Sequence, residues 1–141
     1  MNNKYLSKSY SDTEKIGKEL LKSIDKNSFV AIYGDLGAGK TAFVRGMIQA
    51  LFSDAVVTSP TYNIVNTYSD DKYSIYHFDM YRITDEEDLY SIGFYDYIDT
   101  GIIVCEWSEN IPFAIPSEHI KVTIKKLSLD NEREITVEFV S

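Results

Sequence analysis

The sequence contains few of the residues that mark a disulfide-rich, secreted or nucleic-acid-binding chain. Among its 141 residues there are one cysteine, three prolines and three arginines. A single cysteine permits no disulfide within the chain, which fits a reducing compartment. The formal net charge is −8, and this argues against a long RNA or DNA footprint, because nucleic-acid affinity comes mainly from neutralising phosphates. If the protein serves nucleic-acid metabolism, it is expected to act through a partner.

Long apolar segments are absent as well. No apolar run approaches the ~18 residues that a membrane-spanning helix needs, and no apolar signal core follows the first residues. The composition, 44% hydrophobic and 26% charged, is that of an ordinary globular protein. We therefore predict a single cytoplasmic domain over residues 1–141, with no membrane attachment. Cys105 lies inside an apolar, strand-like run and is interpreted as a core residue.

One stretch carries a strong phosphate-binding pattern. Residues 34–41 match G-x-x-x-x-G-K-[ST]. Glycines let the backbone curl, so that the N–H groups of residues 37–41 are predicted to surround one anion. Lys40 would then reach the β- and γ-phosphates, and the Thr41 hydroxyl a magnesium ion held by them. An apolar strand before the loop and helical spacing after it supply the strand–loop–helix context that the pattern requires.

The rest of the chain predicts strands and helices around this loop. Capping boxes at residues 11–14 and 84–87 indicate two further helix starts, and Gly93 is expected to end the second helix. Apolar or alternating runs predict strands at residues 4–10, 29–33, 56–57, 64–68, 73–78, 102–105, 120–124 and 135–139. Turn residues between strands predict one hairpin in the middle of the chain and an antiparallel hairpin at its C-terminal end.

Two carboxylates follow strand-like runs, Asp79 and Glu106. Both could lie at the carboxyl edge of the sheet, where the ligands of open α/β sheets bind. Glu106 follows the cleaner buried strand and is predicted to hold magnesium together with Thr41. Asp79 would orient the attacking water or complete the outer shell of the metal. The alternative, that one carboxylate only caps a strand end, applies more strongly to Asp79.

Other residues near these motifs have more than one interpretation. A carboxylate of Asp35 facing a triphosphate would be repelled, so it is expected to point away, to bond to backbone or to meet the ion through water. Ser59 and Thr61 suit a mobile segment that senses the γ-phosphate, and a plain turn threonine is the alternative. His77 is interpreted as a core or hydrogen-bonded histidine. Few arginines lie near the motifs, which predicts slow turnover that a partner accelerates.

Taken together, these motifs resemble the TsaE (YjeE) family, small ATPases that assist formation of threonylcarbamoyladenosine at position 37 of transfer RNAs. The resemblance runs from about residue 10 to residue 139. It rests on T-x-x-x-G at Thr13 and Gly17, GDLGAGKT at 34–41, R-G at 45–46, S-P-T-Y at 59–62, H-F-D-M-Y-R at 77–82, E-W at 106–107 and an arginine at Arg133. Ala42 departs from the family, in which threonine is common, and leaves the role of Thr41 intact.

The resemblance implies a mixed, mostly parallel sheet of the P-loop NTPase type with helices on both faces. It also implies ATP and magnesium as cofactors and action on tRNAs that read ANN codons, indirectly, within a complex with the TsaD and TsaB proteins. By position, Lys40 and Asp79 match catalytic residues, and Thr41 and Glu106 match the metal ligands. Nucleotide contacts are implied for Tyr10, Gly37, Ala38, Gly39, Lys40, Thr41 and Arg133, with Asp35, Arg82 and Trp107 in the layer around them.

Three other functions are weighed against this one. An ordinary GTPase would carry N-K-x-D for guanine and D-x-x-G after the second strand, and neither pattern occurs. A small-molecule kinase usually brings several arginines to the transferred phosphoryl group, and this chain has three in all. A nucleotide-dependent assembly switch, in which hydrolysis only resets a docking surface, is not separated by the sequence from an enzyme that uses ATP in each cycle.

Overall fold

The computed structural model describes residues 2–35, 37–60 and 62–141. The strands in this part of the chain are β1 (Asn2–Ser7), β2 (Phe29–Tyr33), β3 (Val65–Ser69), β4 (Ser74–Asp79), β5 (Ile102–Glu106), β6 (His119–Lys126) and β7 (Arg133–Val140). The helices are α1 (Tyr10–Lys22), α2 (Lys40–Leu51), α3 (Glu86–Ser91) and α4 (Phe94–Tyr97), with 3₁₀ turns at Ser108–Asn110 and Pro112–Ala114. No helix in these ranges is long and apolar enough to cross a membrane.

The strands form one sheet in the order β1-β7-β6-β2-β5-β4-β3. Strand β2 lies at its centre and pairs in parallel with β5 and β6, and β4 pairs in parallel with β5. Strands β3 and β7 run antiparallel to all their partners. The predicted mixed, mostly parallel sheet and its C-terminal hairpin, β6–β7, are therefore confirmed.

Both faces of the sheet are covered, as predicted. On one face, alternate residues of the central strands, among them Ile32 and Val104, pack in one core with residues of α1 and α2. On the other face, Ala31 and Cys105 pack in a second core with residues of α3 and α4. The Cys105 side chain is fully buried, and burial raises the pKa of its thiol to about 12. This agrees with its interpretation as a core residue.

Helices α1 and α2 approach each other closely through two glycines. A Cβ placed on Gly46 of α2 would lie 1.9 Å from the carbonyl oxygen of Glu14, and one on Gly17 of α1 would lie 2.2 Å from that of Phe43. Each glycine therefore receives the backbone of the other helix, which no larger residue permits. Beside this contact, Arg45 Nη1 donates to Glu14 Oε2 at 3.0 Å. The packing positions α2, whose first turn contains Lys40 and Thr41.

Four local predictions differ from the structure. The strand predicted at residues 4–10 is β1, which ends at Ser7, and Tyr10 is already the first residue of α1. Helix α1 begins two residues earlier than its capping box at 11–14 predicts, because Ser9 also stands three residues before an aspartate and its hydroxyl accepts from the Asp12 N–H. Helix α3 is capped by Asp85 rather than by the first residue of the box at 84–87. The strand predicted at 56–57 does not form, since Val56 is 83% exposed and has no sheet partner.

Candidate functional site

A cleft of about 590 Å³ opens at the carboxyl edge of β4 and β5, between these strand ends and the loop that precedes α2. It brings together residues from five separate parts of the chain. The lining consists of Tyr10, Gly37, Ala38, Gly39, Lys40, Thr41, Ala42, Arg45, Ser59, Asp79, Tyr81, Glu106 and Trp107. Most of the side chains that the motifs predict for the site thus face one space.

The loop has the conformation that its glycines allow. Gly37 and Gly39 have φ values of 78° and 99°, a left-handed region in which a side chain would be strained. Gly39 is also the N-cap of α2, so the first N–H groups of that helix, which lack acceptors within it, open toward the cleft. The Ala38 N–H instead donates to the Asp35 carbonyl at 3.0 Å, unlike the predicted arrangement in which all N–H groups from 37 to 41 face one anion.

Lys40 lies at the bottom of this loop and is 5% exposed. Its ammonium group donates to the carbonyl oxygens of Gly34 and Asp35 and lies 3.9 Å from the centroid of the Trp107 ring. Burial lowers the pKa of Lys40, although four carboxylates act in the opposite direction: Glu109, Glu106, Asp79 and Asp35. The ammonium group is therefore held by backbone carbonyl oxygens of the loop on one side and by the Trp107 ring on the other.

Glu106 ends β5 and is 3% exposed, and its carboxylate contacts the start of α2. Its Oε1 accepts from the Thr41 hydroxyl at 3.4 Å, and its Oε2 lies 2.5 Å from His77 Nε2. In the β4–β5 register Asp79 stands directly opposite Glu106. Because side chains alternate along a strand, His77 and Asp79 share the face that points toward α2.

Asp79 uses both of its carboxylate oxygens. Oδ1 accepts from the Tyr81 N–H at 2.9 Å, and Oδ2 accepts from the Ser59 hydroxyl at 3.3 Å. The first bond caps the turn that follows β4, which fits the alternative interpretation that Asp79 caps a strand end. The second joins the strand end to the segment before Pro60, so the carboxylate has a defined orientation in the cleft.

The oxygens near Thr41 fit a hard divalent cation. The hydroxyl of Thr41 and a carboxylate oxygen of Glu106 lie side by side, and the Asp79 carboxylate is on the neighbouring strand end. In the described ranges no group of three or more histidine, cysteine or acidic side chains could hold a metal by itself. One or two protein ligands completed by phosphates and water are the usual coordination of magnesium in nucleotide sites.

Arg133 supports the loop from outside the cleft. Its Nε donates to the Ala38 carbonyl at 2.9 Å, and an Nη atom lies 3.4 Å from the Gly37 carbonyl. A second Nη donates to the Asp130 carbonyl at 2.6 Å. The guanidinium borders a small hollow that Tyr10 also lines, next to the larger cleft. Of the two residues for which the resemblance implies nucleotide contacts outside the loop, Tyr10 therefore lines the cleft and Arg133 lines the hollow beside it.

Besides Arg133, two predicted residues that the structure describes are not in the lining of the cleft. Asp35 is exposed, and it is its backbone carbonyl that contacts Lys40. Arg82 is exposed, and its guanidinium carbon lies 5.1 Å from the centroid of the Tyr62 ring. Thr61, one of the two candidates for a phosphate-sensing segment, falls outside the described residues.

The sequence interpretation missed two contributors to the site. Glu109, in the 3₁₀ turn after β5, accepts from the Gly34 N–H at 3.2 Å and so contacts the start of the loop. No pattern in the sequence indicates this contact. His77 is buried and hydrogen-bonded, as predicted, and what the interpretation missed is that its partner is Glu106. The spacing of two residues between His77 and Asp79 on a strand was the available signal, because it puts both on one face.

Comparisons with known proteins identify relatives of this chain. The family model "Threonylcarbamoyl adenosine biosynthesis protein TsaE" matches residues 7–135, a span that contains the whole lining of the cleft. The tRNA threonylcarbamoyladenosine biosynthesis protein TsaE of Bacillus subtilis is 35% identical over 126 residues, 89% of this chain and 78% of that protein. The protein of the same name from Haemophilus influenzae is 42% identical over 113 residues, 79% of this chain and 72% of that protein.

A solved structure shows the same fold. The crystal structure of Bacillus subtilis YdiB superimposes with a TM-score of 0.80 at 30% sequence identity. The match covers 100% of this chain and 87% of that one. The likeness therefore extends over the fold as a whole.

Proposed function

The chain belongs to the TsaE family of threonylcarbamoyladenosine biosynthesis proteins, and on that premise we propose that it binds and hydrolyses magnesium-bound ATP. The family supports a role in the biosynthesis of threonylcarbamoyladenosine in tRNA. The finer proposal is that this nucleoside is formed at position 37 of tRNAs that read ANN codons. In it, the chain works with the TsaD and TsaB proteins and meets tRNA only through their complex.

The observation that carries the proposal is the pairing of Thr41 with Glu106. Thr41 is on the helix that follows the glycine loop and Glu106 ends a parallel strand, and Thr41 Oγ1 lies 3.4 Å from Glu106 Oε1. In the proposed arrangement, the first N–H groups of α2 and the Lys40 ammonium hold the β- and γ-phosphates. Thr41 and Glu106 would hold magnesium, which when bound neutralises the charge that develops on the phosphate oxygens.

Asp79 is proposed to orient the attacking water. Its carboxylate is held by the Ser59 hydroxyl and the Tyr81 N–H, and it stands beside Glu106 on the next strand. A carboxylate with two fixed donors needs little reorganisation to accept a hydrogen bond from water in one direction. Its role in the proposal is therefore positional and does not require that it take up a proton.

The positions of the arginines support the proposal that a partner activates hydrolysis. Arg45 pairs with Glu14 at 3.0 Å, and Arg133 donates to backbone carbonyls at 2.6 and 2.9 Å. Arg82 lies against Tyr62, outside the lining of the cleft. An arginine supplied to the transferred phosphoryl group typically accelerates phosphoryl transfer by about 10³ to 10⁵. We therefore propose slow hydrolysis by the chain alone and faster hydrolysis in the complex.

The test is ATP hydrolysis by the pure protein, alone and with added TsaD and TsaB. Glu106→Ala serves as the blank, and Glu118→Ala, a change of an exposed glutamate outside the cleft, serves as the matched control. Stimulation that Glu118→Ala keeps and Glu106→Ala loses would support a partner-activated ATPase. Absent stimulation, with phosphate transferred instead to a small acceptor, would favour the kinase alternative.

A further inference from the structure

A buried histidine contacts the carboxylate on which the proposed magnesium site depends. His77 is 0% exposed and Glu106 is 3% exposed. The two residues are on neighbouring parallel strands, and His77 Nε2 lies 2.5 Å from Glu106 Oε2. The other ring nitrogen, Nδ1, is also buried and has no hydrogen-bond partner among the described residues.

The hydrogen-bond partners of His77 favour one placement of the protons on its two ring nitrogens. If the imidazole carried both protons, its Nδ1–H would be buried without an acceptor. The same Nδ1–H would be left over if a protonated Glu106 donated to Nε2. A neutral ring that carries its proton on Nε2 donates to the carboxylate and leaves only a bare lone pair on Nδ1. Since a buried donor without an acceptor is strongly unfavourable, the geometry favours this third arrangement.

The carboxylate of Glu106 then has one donor on each oxygen. His77 donates to Oε2, and the Thr41 hydroxyl donates to Oε1. Without the histidine, Oε2 would be buried against an apolar part of the core, in which the residue opposite His77 on β5 is the fully buried Val104. A buried charged oxygen without a donor is costly, so the carboxylate would rotate toward other partners.

We propose that His77 is a positioning residue whose Nε2–H holds Oε2 of Glu106, so that Oε1 is presented to the cation beside Thr41. The inference rests on the proposed function, because it assumes that Glu106 binds magnesium. Loss of a group that orients a metal ligand typically lowers metal affinity or activity about 10- to 100-fold. A histidine that only filled space in the core would have no such effect.

The proton placement is tested on the unchanged site by nitrogen-15 NMR. The chain has two histidines, and His119→Gln leaves His77 as the single imidazole. His119 is outside the lining of the cleft and bonds through Nδ1 to the Pro116 carbonyl at 2.8 Å. We expect a protonated Nε2 and an unprotonated Nδ1 for His77. A protonated Nδ1 would overturn the inference.

The positioning role is tested with His77→Leu and His77→Gln, with His119→Gln as the control. Manganese is titrated into protein saturated with ATP and its binding followed by electron paramagnetic resonance, while ATP affinity is measured separately in EDTA. His77→Leu should weaken manganese binding about 10- to 100-fold and leave ATP affinity in EDTA unchanged. His77→Gln should recover most of the loss, because its amide can donate from nearly the same place as Nε2–H.

Glu106→Gln in the same titration separates the proposed metal role of Glu106 from the positioning role of His77. If Glu106→Gln binds manganese as well as the wild type does, the metal role of Glu106 and with it the proposed function are wrong. If Glu106→Gln weakens manganese binding and His77→Leu does not, only the inference about His77 is overturned. Thermal unfolding checks that each variant is folded. If His77→Leu does not fold, the NMR measurement still decides the inference.

Discussion

Replacing Gly46 with alanine tests whether the close contact of α1 and α2 holds the loop in place. The added Cβ would lie 1.9 Å from the Glu14 carbonyl oxygen and 2.6 Å from its carbonyl carbon. Ordinary contacts between heavy atoms are about 3.5 to 4.0 Å. The obstacle is backbone, which no side-chain rotation can move, so the helices must separate by roughly 1.5 Å to restore an ordinary contact.

Two opposing effects set the expected magnitude. Overpacking typically costs about 1 to 3 kcal/mol, whereas removing a glycine from a helix interior stabilises by about 1 kcal/mol. Because the clash is with main chain on a buried helix contact, we take the upper end of the first range. The expected result is a net decrease of about 2 kcal/mol in the free energy of unfolding, or about 30-fold in the folding equilibrium.

The assay is urea denaturation followed by circular dichroism, together with ATP affinity from calorimetry. Gly46→Ala should lower the urea midpoint with little change in slope. It should also weaken ATP binding, since Lys40 and Thr41 are in the first turn of α2. Lys18→Ala, on the exposed side of α1, should change the free energy of unfolding by no more than about 0.5 kcal/mol. A Gly46→Ala variant about 1 kcal/mol more stable than the wild type, as helix propensity alone predicts, would refute the reasoning.

Other expected outcomes test the loop, the metal site and the core. Lys40→Ala should abolish ATP binding, whereas Glu106→Ala should bind ATP in EDTA and lose magnesium-dependent hydrolysis; tight magnesium-dependent binding by Lys40→Ala in calorimetry would contradict this assignment. Arg133→Ala should lower the free energy of unfolding by about 1.5 to 3 kcal/mol and weaken ATP binding, because the Ala38 carbonyl loses its donor; unchanged affinity would leave Arg133 a purely structural role. The pKa of Cys105 is raised from 9.0 to about 12 by burial. The unfolded chain therefore loses this proton first, and the free energy of unfolding should fall from about pH 9 upward, a slope that Cys105→Ala should reduce in pH-dependent urea titrations.

The sequence predicts best those parts of the site that are contiguous in the chain or lie at the ends of parallel strands. The glycine loop is contiguous, so its spacing alone identifies it. Asp79 and Glu106 are separated along the chain, yet each ends an apolar run, and the ends of parallel strands meet at one edge of the sheet. The structure has the two side by side in the β4–β5 register. Their meeting follows from the direction of the strands.

The contacts that the sequence does not predict depend on register or on irregular turns. His77 contacts Glu106 only because β4 and β5 pair with Asp79 opposite Glu106. The sequence of either strand alone does not determine this register. Glu109 reaches Gly34 from a 3₁₀ turn. The sequence predicts the start of α1 two residues late because two overlapping serine patterns precede the helix, and local capping energies alone do not separate them.

The two interpretations of Asp79 are compatible in this structure. As a strand cap, its Oδ1 binds the Tyr81 N–H at 2.9 Å, and this bond fixes the side chain by means of the backbone turn after β4. As a participant in the cleft, its Oδ2 binds the Ser59 hydroxyl at 3.3 Å. The longer bond joins two segments that meet only across the cleft, whereas the shorter one is local. A change in the position of Ser59 would therefore alter the environment of Oδ2 while the cap kept the carboxylate in place. The local bond supplies rigidity, and the long-range bond couples the same carboxylate to the segment before Pro60.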